Sequence, residues 1–176
     1  MSEYANIRAS SFDVFDTSLV RRVIAPSEVF RILARALPSR HGTLTDSAFE
    51  TDFIAARVEA ERRARLHSLR EETTLDEIWH ELARILPAAQ LAGATASLEL
   101  DIEAGLLGPV QTVLYAIEAA RRAGRRIIFT SDTYFPASFI EQHLSRHGLF
   151  LHGDRLYASS ETGLTKPSRR LFSLIL

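Results

Sequence analysis

Roughly eighty residues of this chain, from about Ile24 to Gly105, read as helix after helix with no convincing strand, while the segments on either side alternate strand and helix. That change of pattern constrains the fold more than any other feature. Before it, Ile7, Ala9, Phe12 and Val14 read as a short strand leading to Asp13. Within it, Ser27 is placed to cap a helix with Val29, Phe30, Leu33 and Leu37 on one face. Thr45 is placed to cap a longer helix running to about Leu69, and Thr74 with Glu77 forms a capping-box pair ahead of Leu75, Ile78, Trp79, Leu82 and Leu86. A fourth helix is expected from about Ala88 to Ala104. After the block, Pro109 is expected to open a helix that Gly124 closes, and Arg125 to Thr130 reads as a strand. Pro136 opens a helix ending at Gly148, Arg155 to Ser159 reads as a strand, and a last helix begins after Ser168. This is an α/β order with a helical insertion: an α/β core from residues 1–23 and 106–176, and a helical cap from residues 24–105.

Composition narrows the function classes. The 176 residues are 46% hydrophobic and 24% charged, ordinary values for a globular chain able to bury a core. The formal net charge of −1 gives no general attraction to nucleic acid or anionic membrane. There is no cysteine, so disulfides and cysteine metal sites are excluded. No stretch approaches the about 18 apolar residues of a membrane span, and the N-terminus lacks the apolar core of a signal peptide. A cytoplasmic location is the default expectation.

Three places carry candidate chemistry, each after an expected strand. Asp13 lies in Ser-Phe-Asp-Val-Phe-Asp-Thr, Ser131 and Asp132 end Ile-Ile-Phe-Thr-Ser-Asp, and Lys166 lies in Thr-Gly-Leu-Thr-Lys-Pro. Ligands bind at the carboxyl ends of strands in an open parallel sheet, so the three should converge. A carboxylate can attack a phosphoryl or alkyl centre and form a covalent intermediate. A hydroxyl and an ammonium can then hold the transferred anionic group. Taken singly, each is more often a turn, a cap or a solvated loop residue. The ordered set is what points to a site.

These segments resemble the haloacid dehalogenase superfamily of Asp-nucleophile hydrolases. Phe-Asp-Val-Phe-Asp-Thr is similar to its motif I, Ile-Ile-Phe-Thr-Ser-Asp to motif II and Thr-Lys-Pro to motif III, and the helical block stands where that family carries a C1-type cap. The stretch Leu-Tyr-Ala-Ser-Ser-Glu-Thr-Gly-Leu-Thr-Lys-Pro, with Arg-Arg-Leu-Phe after it, is similar to bacterial members joined to glycosyltransferase domains. The resemblance implies a Rossmann-like core and an aspartyl covalent intermediate, with phosphate-ester hydrolysis as the leading activity. It makes Asp13 the nucleophile, Thr17 the supporting threonine and Lys166 the lysine that orients nucleophile and phosphate. Ser131 is the motif II hydroxyl, with Thr130 in that place if the strand is one residue shorter. Asp132 and Arg21, the latter at the expected cap hinge with Arg22, are candidate contacts to an anionic substrate. Magnesium is the implied cofactor, on Asp13 and the backbone carbonyl of Phe15. The implied partners are a phosphorylated or other anionic small molecule and a joined glycosyltransferase.

Two departures from the family pattern matter. Phosphatases of the superfamily place a second Asp two residues after the nucleophile, as acid and then base; here that position is Phe15, and Asp16 lies one further on. Losing a general acid/base costs roughly 10²–10⁴ in rate. An apolar residue there is what the dehalogenase branch shows, which makes a 2-haloacid dehalogenase the second enzyme reading, although Phe172 stands where those enzymes usually have Tyr. The chain also stops before motif IV, which supplies further acidic metal ligands. A core incomplete at its C-terminus would leave the Asp13 strand at a sheet edge, open to pairing with a second copy. The departures together also allow a non-catalytic domain that binds a phosphorylated ligand or a partner.

Other constellations have plainer explanations. Receiver domains also combine an Asp, a hydroxyl and a Lys, but lack the insertion that separates Asp13 from Ser131. His143 and His147, at i and i+4, read as polar residues on a solvated helix rather than metal ligands. Arg57, Arg62, Arg63, Arg65 and Arg70 alternate with Glu59, Glu61, Glu71 and Glu72, so they read as a solvated helix rather than a nucleic-acid contact. Trp79 reads as cap core.

Overall fold

A computed structural model of the chain describes residues 7–37 and 47–175. The chain divides into two compact units: Met1–Val20 with Leu107–Leu176, and Arg21–Leu106.

The first unit is an α/β layer built on β1 (Ala9–Asp13), β4 (Arg126–Ser131) and β5 (Arg155–Ala158). They form a parallel sheet in the order β1-β4-β5. The register sets Asp13 beside Thr130 and Ser131 beside Ala158, so the chemistry-bearing residues end adjacent strands. β4 is the central strand, and all its residues after Arg126 are buried, which accounts for the apolar run Ile127-Ile128-Phe129. β1 has β4 as its one ladder partner among the described residues, as expected of an edge strand. Two helices complete the crossovers, α5 (Gln111–Arg122) and α6 (Ala137–Arg146), burying Ile117 and Ala120, and Phe139, Ile140 and Leu144. Gly124 and Gly148 follow them at positive φ, the left-handed stop that a Cβ disfavours. Two single turns remain, α7 (Ser159–Thr162) and α8 (Arg170–Ser173).

The second unit is helical: α1 (Glu28–Ala36), α2 (Ser47–His67), α3 (Leu75–Ile85) and α4 (Ala96–Leu106). α1 buries Val29, Phe30, Leu33 and Ala34. The capping box of α3 is formed, with Thr74 Oγ1 accepting from the Glu77 N–H and Glu77 Oε2 accepting from the Thr74 N–H at 2.8 Å. The core is partly ionic. Arg57 is fully buried, with its guanidinium bidentate on buried Glu99 at 2.7 and 3.1 Å and stacked over Phe30. The Trp79 indole N–H donates to the same Glu99 at 2.9 Å. The reading of Arg57 as one of a row of solvated arginines is thereby corrected. Arg62, Arg63, Arg65 and Arg70 instead keep partly exposed side chains and ion-pair with glutamates near the surface.

Other expectations shift in detail. Two three-residue strands, β2 (Leu19–Arg21) and β3 (Leu107–Pro109), pair with each other where the chain leaves and re-enters the α/β unit. Pro109 therefore ends a strand, and α5 starts two residues later behind Val110. α4 starts at Ala96 because residues 88–94 close turns, such as Gln90 N–H to Pro87 C=O at 2.8 Å. Ser27 holds the cap position of α1 in helical conformation, and its hydroxyl makes no capping bond. The Thr45 cap falls outside the described residues. The last helix is a single turn; Leu171 is fully buried, while Phe172 and Leu174 are exposed. Among the described residues, no helix is long and apolar enough to cross a membrane.

Candidate active site

The segment after β1 folds back on its own backbone. The Val14 carbonyl accepts the N–H groups of Ser18 and Leu19 at 2.8 and 2.9 Å, and the Asp16 N–H returns to the Leu19 carbonyl at 2.8 Å. Asp16 takes φ +58° to make this turn, a conformation that Asp tolerates better than most side chains. The Ser18 hydroxyl donates to the Asp13 carbonyl at 2.5 Å, and Ser18 is fully buried. The Asp13 backbone is thereby held at the end of its strand, and its side chain is half-exposed.

Both carboxylate oxygens have a donor. The Lys166 ammonium donates to Oδ1 at 2.6 Å, and the Thr17 hydroxyl donates to Oδ2 at 3.2 Å. Asp13 and Lys166 are 153 residues apart in sequence, so this pair is a product of the fold. Thr130 lies beside Asp13 in the register and is buried. Ser131 follows it, also buried, and its Oγ has no hydrogen-bond partner among the described residues. A buried hydroxyl without a partner costs about 1–3 kcal/mol, a cost that a hydrogen bond to a bound anion would offset.

Three candidate residues have other surroundings. Asp132 turns its carboxylate to the backbone: Oδ1 and Oδ2 accept the Lys166 N–H at 3.0 and 3.2 Å. Arg21 belongs to the helical unit, where its Nε holds the buried Glu103 at 2.8 Å. Burial raises the Glu103 carboxyl above its usual range, against the pull of Arg21. Asp16, one residue beyond the acid/base position, is exposed. Phe15, which fills that position, packs its ring 5.6 Å from Phe135. Tyr134, Phe139 and His143 extend the aromatic cluster through ring contacts of 4.6, 5.2 and 4.5 Å. His143 is thus buried rather than solvated, and its Nδ1 has no partner among the described residues. Burial, with the Arg146 and His147 charges, lowers its pKa.

No group of three or more His, Asp or Glu side chains among the described residues could hold a metal ion. The Asp13 carboxylate is a hard oxygen donor of the kind that an ion such as Mg²⁺ takes, one or two carboxylates with waters and substrate phosphate completing its octahedron.

Sequence reasoning missed Ser18, Ser159 and Ser160, whose hydroxyls bond backbone groups. It also missed one available signal: Lys166 is the only lysine in the chain, every other long cation being Arg.

No family model and no curated protein matches this chain. Solved structures do. An L-2-haloacid dehalogenase from Xanthobacter autotrophicus, with chloropropionic acid covalently bound, superposes over 96% of this chain with a TM-score of 0.54 at 16% identity. A second L-2-haloacid dehalogenase superposes over 96% with a TM-score of 0.52, also at 16% identity. The chain spans 63% and 70% of their respective lengths. The likeness is one of fold: a Rossmann-like α/β fold of the haloacid dehalogenase type.

Proposed function

We propose that this chain carries the nucleophilic half-site of a hydrolase that works through a covalent ester or anhydride of Asp13. The observation that carries the reading is the Asp13 carboxylate at a strand end with Lys166 on one oxygen and Thr17 on the other. In the first step an Asp13 oxygen attacks the electrophilic carbon or phosphorus, and the leaving group departs with the bonding electron pair. Lys166 orients the carboxylate and offsets charge on the anionic substrate, and Ser131 donates its unmatched hydroxyl to that anion. Water then cleaves the intermediate, releasing a hydroxy acid or phosphate and restoring the carboxylate, with one proton going to solvent.

Phe15 selects the leaving group. With an apolar ring packed on Phe135, no carboxylic acid stands in that position to protonate a poor leaving group such as an alkoxide. Substrates whose leaving group departs unprotonated fit best: 2-haloacids, and phosphates of acidic alcohols such as phenols. The phosphate reading takes Mg²⁺ on Asp13 and the Phe15 carbonyl, to neutralise phosphoryl charge; the haloacid reading needs none. The covalently bound chloropropionate of one structural neighbour lends weight to the haloacid reading. In either case the ligand is a small anion. The edge of β1, unpaired among the described residues, is the proposed place for a second copy to add.

The test compares halide release from L-2-chloropropionate with hydrolysis of p-nitrophenyl phosphate and an alkyl phosphate, with and without Mg²⁺. Turnover of one of the first two, little of the third, and a fall of about 10⁴-fold or more in Asp13→Asn are expected. Alkyl phosphate as the best substrate, or an active Asp13→Asn, would overturn the proposal.

A further inference from the structure

Lys166 reaches Asp13 from an irregular loop, on a flexible stem whose ammonium could occupy many positions. Two neighbouring loops restrain it. After β4, residues 132–137 run alongside residues 158–166, and side chains cross between them at successive points. Asp132 accepts the Lys166 N–H with both oxygens. The buried Ser159 hydroxyl accepts the Thr133 N–H at 2.8 Å and donates to the Thr133 carbonyl at 3.2 Å, so one side chain satisfies both ends of one residue. Ser160 donates to the Phe135 carbonyl at 2.6 Å, and Glu161 accepts the Ala137 N–H at 3.2 Å. Thr162 accepts the Leu164 N–H at 3.3 Å, and Gly163 closes the turn at φ +70°. Each side chain of Ser159-Ser160-Glu161-Thr162 thus bonds at least one backbone group, and Asp132 fixes the residue that carries the ammonium.

We infer that Asp132 is a positioning residue, which holds the Lys166 ammonium on the Asp13 carboxylate through the Lys166 backbone, with Ser159 locking the two loops together. The catalytic meaning of this clamp rests on the proposed Asp13 chemistry; the clamp itself does not. The role inferred is geometric, because the group that the Asp132 carboxylate holds is the Lys166 backbone N–H. An amide, which keeps one acceptor oxygen, should therefore replace most of it.

The single lysine makes a substrate-free test available. Methyl acetimidate modifies amines, so its rate at Lys166 is read by mass spectrometry against the N-terminal amine as internal standard. Asp132→Ala should free the ammonium and raise the Lys166 rate about tenfold, the factor expected for loss of a hydrogen bond involving a charged group. Asp132→Asn should stay close to wild type, and Ser159→Ala should move in the same direction as Asp132→Ala by less. With ¹³C-lysine labelling, the one side-chain signal should broaden or shift in Asp132→Ala and not in Asp132→Asn. Folding of each variant is read from its thermal melt. A folded Asp132→Ala with an unchanged Lys166 rate overturns the inference, and so does Asp132→Asn as reactive as Asp132→Ala. If Asp132→Ala does not fold, an unchanged rate in Ser159→Ala overturns it and a raised rate supports it. No step needs turnover, so failure to find a substrate would count against the proposed function and leave this result standing.

Discussion

At the residue scale, Ser131 and His143 are informative because each is buried with a polar atom unmatched among the described residues. For Ser131 the two costs oppose each other. Ser131→Ala removes an unsatisfied hydroxyl, so the melt should hold or rise slightly, while loss of a donor to the substrate anion should lower kcat/KM by about 10²–10³-fold. A variant that lost stability without losing activity would place that hydroxyl in the structure rather than the site. For His143 the sign follows from its lowered pKa. The unfolded imidazole, with a pKa of about 6.5, binds a proton before the folded one does. Its contribution is therefore fully present above that pH and is lost as pH falls through the folded value. Urea titrations of wild type and His143→Phe between pH 8 and pH 5 should show the wild type losing more stability on acidification. Neither property was visible in sequence, where His143 and His147 look like one polar pair on a helix face. Spacing puts Phe139 beside His143 on α6, but the burial of both depends on how α6 meets its neighbours, which spacing alone does not encode.

At the element scale, the helical unit carries a charged contact fully buried in its core. Arg57 on α2 and Glu99 on α4 are both fully buried and joined at 2.7 Å. Removing one partner strands the other charge, so Arg57→Ala should cost about 3–5 kcal/mol, and Trp79 should lose part of its fixed orientation. The double variant Arg57→Met with Glu99→Leu should recover most of that loss, measured by urea unfolding. A double variant no better than the single one would mean that the pair contributes more than it costs to desolvate. The alternation of Arg and Glu along α2 hid this, because only position relative to a helix 42 residues away separates a buried arginine from a solvated one. Elements whose signal is local were legible: the apolar run of β4, the Thr74–Glu77 box, the glycine stops after α5 and α6. β2 and β3 were not, since three residues carry too little alternation to register and pair only because the chain passes the same place twice.

At the scale of the whole molecule, the sheet order explains why the candidate site was readable before any coordinates. In a parallel sheet every strand delivers its carboxyl end to the same side. Residues after three expected strands therefore converge, and Asp13 and Lys166 do so across 153 residues. What did not follow from sequence is the scaffolding behind them, Ser18, Ser159 and Asp132, because loop-to-loop hydrogen bonds have no period. The central claim is that Asp13 becomes covalently bonded to its substrate, and acid quenching in mid-turnover tests it most directly. Protein mixed with L-2-chloropropionate or p-nitrophenyl phosphate, quenched within the first turnovers and digested, should yield the Asp13 peptide heavier by the substrate less its leaving group. The same peptide from Asp13→Asn should be unmodified. Turnover of either substrate with no adduct on Asp13, or with the adduct on another residue, would contradict the account.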